Sequence, residues 1–397
     1  MTKEEFLRTY AVDRRNSNCK KWDALVQLFG TEDLLPLWIA DIDFKVPDAV
    51  IKALKTRVDH GAFGYTFIPT GYKEAVNGWL KRRHNYTVDP QHMRLSGGVV
   101  TAFYNAITAL TNEGDSILIL QPVYPPFHSA PEDTHRQLVT SDLVQDAQGR
   151  YTMDFADIEN KITTQKVKML IFCNPHNPVG RVWTKEELAT LFAICERHDV
   201  LIISDEIHQD FIYGEHQFTP ALTINEGQYK DRIISLFSTS KSFNLASLPV
   251  AHVVIPNQEL RRKYDKYIAS IDKNPLSILN LVATQAAYEE GDEWLDALKE
   301  VIYSNYELFR NRLLEAAPKL VISPLEGTYL GWVDFSAYIG NTNATSFLRD
   351  TCKLGLNYGH LFSSKSISYA RFNLGTTPEI INEAVDRIIK GLQTLQK

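Results

Sequence analysis

Residues 167–208 read VKMLIFCNPHNPVGRVWTKEELATLFAICERHDVLIISDEIH, and their pattern indicates the fold more clearly than that of other segments. It begins and ends with apolar runs of strand length, Val167–Cys173 and Val200–Ser204. Between them, Lys185–His198 carries apolar residues at helical spacing along one face. Because apolar runs without alternation suit strands buried on both faces, this unit predicts parallel strands joined by a covering helix.

The same alternation of strand and helix extends over most of the chain. Ile233–Phe237 is a further apolar run, and residues 46–285 are predicted to form one large α/β domain with a mainly parallel sheet. After Pro275, long helical segments and short strands predict a smaller α+β domain, placed at residues 286–397. Residues 1–45 have no strong pattern and are expected to pack on the small domain or on a partner subunit.

Composition and charge disfavour several classes of protein. The 397 residues are 44% hydrophobic and 23% charged, which is ordinary for a globular protein, and the length favours two domains. A formal net charge of −6 disfavours nucleic-acid binding. No apolar run has the length of a membrane span or the position of a signal peptide, so a cytoplasmic protein without a membrane partner is expected. The four cysteines lack metal-ligand spacing and are expected to be buried and reduced.

Polar residues follow the apolar runs, at the strand ends where an open parallel sheet binds its ligands. Asn174–Gly180 contains two prolines and a glycine, which is typical of a rigid turn that would aim Asn177. Asp205 follows the Val200 run, where a carboxylate is at least partly desolvated and needs a cationic or proton-donating partner. A pyridinium nitrogen is one such partner. A plain turn and an internal salt bridge are the structural alternatives.

Two further motifs combine an anion site with a nucleophile. Ser238–Asn244 reads STSKSFN, in which hydroxyl groups beside Lys241 could hold a phosphate while the lysine acts as a nucleophile. Ser96–Val100 reads SGGVV and precedes a helical pattern, whose first N–H groups form an anion site. It is not a dinucleotide fingerprint. Taken singly, a solvated loop lysine and a bare Gly-Gly turn are the simpler explanations.

The combination of the four motifs is more informative than any one of them. Asn177, Asp205 and Lys241 are separated by 28 and 36 residues, each about one helix and one strand. Since every motif stands at a strand end, the four are predicted to surround one cofactor pocket.

These motifs resemble the type I fold of pyridoxal-phosphate (PLP) enzymes, the aspartate aminotransferase superfamily, and within it the cystathionine β-lyase or C–S lyase branch. The segments that carry the resemblance are Pro36–Phe44, Phe63–Thr66, Pro122–Phe127, Cys173–Leu188, Ile203–His208, Ser240–Asn244 and, more weakly, Arg371–Asn373. The WIAD sequence and His208 point to the lyase branch, because many aminotransferases have tyrosine at position 208. The resemblance implies an α/β type I PLP-transferase fold with a mainly parallel, seven-stranded sheet, the cofactor pyridoxal 5′-phosphate, and a homodimer with shared active sites.

The resemblance also implies roles for the matching residues. Lys241 would be the catalytic residue and bind the cofactor as a Schiff base, Asp205 would pair with the ring nitrogen, and Arg371 would bind the substrate carboxylate. The other cofactor contacts that it implies are Asn177 at the 3′-oxygen, Tyr124 stacked on the ring, His208 beside it, the amides of Val99 and Val100 with Ser238 and Ser240 at the phosphate, and Tyr65 at the phosphate of the neighbouring subunit.

Three departures from the family pattern lie near these residues. The lysine motif commonly continues FNxAGL, but here Ser247 replaces the glycine. Eight residues beyond the lysine, many aminotransferases place a phosphate-binding arginine where this chain has Pro249. Ser363–Ser366 replaces a glycine-rich stretch before Arg371. The phosphate site is therefore expected to depend more on Tyr65, the two serines and the helix start.

The activity that the resemblance implies is β-elimination on cystathionine or a cysteine-type thioether, which releases a thiol, pyruvate and ammonia. An aminotransferase shares every step up to the carbanion, so the residues around the cofactor leave that alternative open. A protein that keeps this fold and adds a regulatory binding role is a further alternative. An intact lysine, aspartate and asparagine set argues against an inactive enzyme but not against such a second role.

Overall fold

The computed structural model describes residues 1–271 and 276–395. The strands in these ranges, numbered along the chain, are β1 (Leu35–Pro36), β2 (Met93–Ser96), β3 (Ser116–Gln121), β4 (Gln137–Asp142), β5 (Val144–Gln145), β6 (Tyr151–Thr152), β7 (Val167–Cys173), β8 (Leu201–Asp205), β9 (Ile233–Ser238), β10 (Ala251–Val254), β11 (Val321–Ile322), β12 (Leu330–Asp334), β13 (Leu354–Gly355), β14 (Asn357–Tyr358) and β15 (Tyr369–Asn373).

The helices are distributed between and after these strands. In the same order they are α1 (Lys3–Tyr10), α2 (Lys20–Asp23), α3 (Leu25–Phe29), α4 (Asp48–Asp59), α5 (Tyr72–His84), α6 (Val99–Leu110), α7 (Pro126–Asp133), α8 (Phe155–Thr164), α9 (Lys185–Arg197), α10 (Thr239–Ser242), α11 (Gln258–Ser270), α12 (Ile278–Glu290), α13 (Asp292–Ala316), α14 (Ser336–Ile339) and α15 (Pro378–Leu395). Shorter 3₁₀ segments are Ala221–Gly227, Lys230–Arg232 and Gly359–Leu361, and Ser346–Thr351 is a π-helical turn.

A seven-stranded sheet forms the centre of the described structure, with strand order β2-β10-β9-β8-β7-β3-β4. Strands β9, β8, β7, β3 and β4 run parallel, whereas β10 is antiparallel to both of its neighbours. The predicted mainly parallel, seven-stranded α/β fold is therefore confirmed. Separate apolar clusters cover the two faces of the sheet, which explains why its central strands read as unbroken apolar runs.

The quoted stretch folds as a strand, a turn, a helix and a strand. Helix α9 begins after Thr184, whose side chain accepts from the Glu187 amide while the Glu187 carboxylate accepts from the Thr184 amide. This capping box satisfies N–H groups that the first helical turn leaves unpaired. Strand β8 spans Leu201–Asp205, one residue later than the apolar run indicated. Asp205 is thus the last residue of the strand, paired in register with Cys173 of β7.

The C-terminal part contains a four-stranded antiparallel sheet of order β11-β12-β15-β14, packed with helices α13 and α15. The N-terminal segment joins this part, since β1 pairs with β13 and α1 packs on α13. The predicted boundary after residue 285 falls inside helix α12. Pro275, where the change in pattern was placed, lies outside the described residues. The division into residues 1–45, 46–285 and 286–397 stays a prediction.

The cysteines and the helix lengths can be compared with the expectations from the sequence. All four cysteines, Cys19, Cys173, Cys195 and Cys352, are buried and unpaired, as expected. Over residues 1–271 and 276–395, no helix combines the length and the apolar character needed to cross a membrane.

Candidate active site

A cavity of about 280 Å³ opens at the carboxyl ends of the parallel strands. This volume is close to the lower end of the ~300–1,000 Å³ range of small-molecule sites. Eight of the residues predicted from the sequence line it: Val99, Val100, Tyr124, Asn177, Asp205, His208, Ser240 and Lys241. The four motifs therefore do surround one pocket.

Lys241 lies in the short helix α10, directly after strand β9. Its Nζ donates to the carbonyl oxygen of Ala40 at 2.6 Å. Burial lowers the pKa of the Lys241 amine to about 8, with Arg371 acting in the same sense and the carboxylates of Asp41 and Asp205 opposing the shift. About a tenth of this amine is therefore neutral at pH 7 and about half at pH 8. The neutral form is the one that attacks a carbonyl carbon.

Asp205 is the acidic side chain that lines the cavity. It is only 5% exposed, and its Oδ1 accepts from the backbone amide of Ile207 at 3.1 Å. Burial raises the pKa of the carboxyl to about 7, because a desolvated charge is costly. A cationic ring nitrogen placed in the cavity would relieve that cost and stabilise the ionised carboxylate.

The amino end of helix α6 forms another wall of the cavity. Gly97 and Gly98 precede it, and Gly98 has φ +129°, a backbone conformation that favours glycine. Val99 and Val100 are the first helical residues, and the amides at a helix start have no partner within the helix. This wall is therefore suited to an anion such as a phosphate.

The two predicted phosphate-binding serines differ in position. Ser240 lines the cavity, whereas Ser238 is buried behind it. Ser238 Oγ donates to the carbonyl of Val250 at 2.7 Å and also accepts from the Ser240 amide at 3.1 Å. Ser238 thus caps the turn that carries Lys241, and its role at a phosphate stays a prediction.

Arg371 lies next to the cavity rather than in its wall, fully buried on β15. Its Nη1 donates to Asn177 Oδ1 at 3.0 Å and its Nη2 to the Trp38 carbonyl at 2.8 Å. The guanidinium stacks over the Phe362 ring, 5.1 Å from its centre. Burial lowers the pKa of Arg371 to about 10, although the group stays a cation at neutral pH. This arrangement couples the predicted carboxylate-binding residue directly to a predicted cofactor-binding residue.

Two of the predicted site residues with rings, Tyr124 and His208, line the cavity. Tyr124 follows β3 and lines the cavity. His208 is buried, its ring packs edge-on against Tyr329 at 5.6 Å, and its Nδ1 has no hydrogen-bond partner among the described residues. Burial lowers the pKa of His208, so the ring is neutral. His208 can therefore donate or accept one hydrogen bond without carrying charge.

Tyr65 does not line the cavity of its own chain. Its side chain is fully exposed, and the nearby Phe67 is 82% exposed. Tyr65 therefore supplies no group to the cavity of its own chain. Tyr65 remains a candidate only for the site of a second subunit.

The three departures from the family pattern differ in how they lie relative to the cavity. Pro249 lines the cavity, and its Cβ is 3.9 Å from the position that a Cβ on Gly98 would take. Ser247 is exposed and does not line the cavity. In the stretch Ser363–Ser366, Lys365 pairs with Asp142 on the surface.

Sequence reasoning missed the contribution of the backbone around Ala40. The Ala40 carbonyl accepts from both Lys241 and the hydroxyl of Tyr329, at 2.6 and 2.8 Å. The WIAD motif was noted only as a family resemblance, because a main-chain acceptor leaves no residue-type signal in a sequence. Asp41, whose charge acts on Lys241, stands in the same motif.

Comparison with known proteins agrees with this site. The aminotransferase class I and II family model matches residues 32–388. The chain is 36% identical to cystathionine beta-lyase PatB of Bacillus subtilis (strain 168) over 384 residues, which are 96% of this chain and 98% of that protein.

Two solved structures show the same fold over nearly the whole chain. Cystalysin from Treponema denticola, which contains a pyridoxal 5′-phosphate cofactor, has a TM-score of 0.91 at 31% identity and covers 97% of this chain and 98% of that one. A PLP-bound protein from Clostridium difficile 630, provisionally described as an aminotransferase, has a TM-score of 0.92 at 40% identity and covers 96% and 98%. Fold and site thus define a protein of the type I PLP-transferase fold. The chain belongs to the aminotransferase class I and II family, as its motifs predicted.

The residues around the cavity fit pyridoxal phosphate. Lys241 offers an amine of lowered pKa, and Asp205 offers a desolvated carboxylate for a protonated ring nitrogen. The start of α6 and Ser240 provide hydrogen-bond donors for a phosphate. Within the described residues that line the cavity, Lys241 is the cationic side chain, so the phosphate end is poor in charge.

The lowered pKa of Lys241 predicts how fast the apoprotein recombines with PLP at different pH. Only the neutral amine reacts, so the second-order rate should rise about tenfold per pH unit below 8 and level off above it. The measurement is the appearance of the visible band of bound cofactor after mixing. An N-acetyl-lysine control should keep accelerating toward pH ~10.4. A protein rate that still climbs steeply above pH 9 would contradict the assignment.

Proposed function

We propose that this chain is a PLP-dependent carbon–sulfur β-lyase that acts on cystathionine or a cysteine-type thioether. The products would be a thiol, pyruvate and ammonia, with homocysteine as the thiol from cystathionine. The PLP-dependent part of the proposal rests on the pair of Lys241 and Asp205 on one cavity, each with a pKa shifted by burial toward neutrality, and the lyase part rests on the similarity to cystathionine beta-lyase PatB. Strongly shifted pKa values of this kind cluster at functional sites.

The cofactor is pyridoxal 5′-phosphate, whose protonated ring accepts the electron pair of a carbanion at the substrate Cα. Asp205 holds the proton on the ring nitrogen, since its desolvated carboxylate gains most from a cationic neighbour. Asn177 uses its Oδ1 to accept from Arg371, which leaves its Nδ2 hydrogens for the ring 3′-oxygen.

Lys241 moves the proton of the reaction. With cofactor and substrate bound, the neutral Nζ of Lys241 would remove the Cα proton as general base. The Ala40 carbonyl accepts from Nζ at 2.6 Å and so provides a position for the released amine. The same group can then protonate the departing sulfur or the solvent, because a pKa of about 8 allows exchange in both directions.

Arg371 binds the substrate carboxylate. Its Nε has no partner among the described residues, so this edge of the guanidinium still has a hydrogen to donate. The opposite groups are fixed by Asn177 and Trp38, and Phe362 supports the face. A guanidinium held on three sides gives a bound amino acid one orientation relative to Lys241.

The lyase is favoured over an aminotransferase by the relatives. Cystathionine beta-lyase PatB matches nearly the full chain, and His208 agrees with the lyase branch. The provisional description of the Clostridium difficile protein favours the aminotransferase as a second candidate. Both reactions need the same Lys241, Asp205 and Arg371, and they differ only in what happens after the Cα proton leaves.

The two candidates are separated by the products formed without a keto acid. Purified holoenzyme incubated with L-cystathionine alone should release pyruvate and homocysteine in equal amounts over many turnovers, because elimination regenerates the cofactor. Lys241→Ala is the matched control and should release neither. If no β-thioether releases a thiol, and the enzyme instead transfers the amino group to an added keto acid, the chain is an aminotransferase and not a lyase.

We propose further that the protein is a homodimer in which Tyr65 completes the phosphate site of the second subunit. Support comes from the full exposure of Tyr65 and the 82% exposure of Phe67, large apolar surfaces that a partner could cover. The phosphate end of the cavity has little positive charge, so a hydrogen bond from the Tyr65 hydroxyl would help to hold the phosphate.

Hybrid dimers test this arrangement. Tyr65→Ala and Lys241→Ala chains carrying different affinity tags would be co-expressed and the doubly tagged species purified. One of its two sites would then combine an intact lysine with an intact tyrosine, so about half of the wild-type activity per dimer should return. Activity no higher than that of the Tyr65→Ala homodimer would show that Tyr65 does not act across subunits.

A further inference from the structure

Residues Trp38–Phe44 run without helix or regular strand between the lysine turn and strand β15. Their backbone carbonyls accept from side chains on both sides. Lys241 Nζ donates to Ala40 at 2.6 Å, and Arg371 Nη2 donates to Trp38 at 2.8 Å. One stretch of main chain therefore contacts both the amine that moves the proton and the guanidinium that binds the substrate.

Two asparagine side chains fix the register of this stretch. Asn244, three residues after the lysine, donates to the carbonyls of Ile42 and Phe44 at 2.9 Å and accepts from the Ile42 amide. Asn373 of β15 donates to the carbonyl of Ile39 at 2.7 Å and to the carbonyl of Asp41. A displacement of the stretch would break bonds to both catalytic elements at once.

A buried ionic cluster anchors the far end of the stretch. Lys21 is 0% exposed, and its Nζ lies 2.6 Å from Asp43 Oδ2. Asp43 Oδ1 accepts from Trp22 Nε1 at 3.1 Å and from Arg14 Nη1 at 3.4 Å, and Arg14 also pairs with Asp41 at 2.8 Å. Burial alone would raise the pKa of Asp43, but Lys21 and its neighbours hold the pKa below the usual range, so the carboxylate is ionised.

We propose that Lys21 and Asp43 are positioning residues: they clamp Trp38–Phe44 so that its carbonyls hold Lys241 and Arg371 in their catalytic geometry. This inference rests on the proposed function, since it assigns the clamp to the proton transfer by Lys241. The Lys21–Asp43 pair would act through the main chain, without touching substrate or cofactor.

The Lys21–Asp43 pair can position the Ala40 carbonyl because the two are joined by a short piece of main chain. Asp43 lies three residues from Ala40, and its own amide donates to Gly375 at 3.0 Å, so its position sets the path of the stretch. With Lys21 gone, Asp43 would keep as a charged partner only Arg14, at 3.4 Å, and would be drawn toward Arg14 and solvent, because a buried carboxylate is costly once its nearest counter-charge is removed. The Ala40 carbonyl would then lose its fixed distance to Lys241.

The test is Lys21→Met, which keeps an apolar side chain and leaves Asp43 with Arg14 and Trp22. Holoenzyme should retain its PLP, and KM for L-cystathionine should change less than about threefold. The value of kcat should fall about tenfold or more, since a displacement near 1 Å can cost up to a hundredfold in rate. The visible circular dichroism per bound PLP should fall as well. That signal is measured without substrate, so it tests the clamp even if cystathionine is not turned over.

Two further variants make the result decisive. Arg136→Met removes another buried cation, which donates to Thr111 between the end of α6 and the start of β4, and controls for lost stability alone. It should leave kcat and the dichroism per bound PLP unchanged. Arg14→Met, on a side chain already 20% exposed, should show a smaller effect in the same sense as Lys21→Met and replaces it if that variant does not fold. The proposal is overturned if kcat and dichroism follow only the amount of bound PLP, or if they match the Arg136→Met control.

Discussion

Asp205 ends a strand that is covered on both faces, so its carboxylate has lost most of its hydration. The free-energy cost of that burial raises the pKa of the carboxyl to about 7. Burial acts in the opposite sense on Lys241, whose pKa falls to about 8, across the same cavity. The parallel sheet thus places at one edge a carboxylate that gains from a cationic partner and an amine that can exchange a proton near neutral pH. The remaining contacts hold a ring and a substrate between them.

Much of this could be predicted from the sequence, because the relevant signals are residue types at strand ends. Asn177, Asp205 and Lys241 each follow an apolar run, and parallel strands bring their carboxyl ends to one edge. Side chains that point away from the edge are harder to predict. Ser238 stands in the same motif as Lys241, yet its hydroxyl turns inward to the Val250 carbonyl. Composition and spacing do not show that Ser238 points inward while Ser240, two residues later, lines the cavity.

Main-chain acceptors and distant pairs were beyond prediction for a different reason. The Ala40 carbonyl is a property of backbone geometry, and any residue type could supply it. Lys21 and Asp43 are 22 residues apart and lie in a segment without periodic pattern, so nothing in the sequence relates them to Lys241. Pro249 was recognised as a departure, and it does line the cavity, where it leaves the phosphate end with little positive charge. Tyr65, which is proposed to complete that end from a second subunit, is fully exposed in the single chain.

Attachment of the cofactor to Lys241 can be tested without any substrate. Holoenzyme would be reduced with borohydride, which makes the bond between amine and PLP permanent, then digested and sequenced by mass spectrometry. One pyridoxyl-phosphate group per chain, located on Lys241, is expected. Attachment at another lysine, or PLP released in full after reduction, would contradict it.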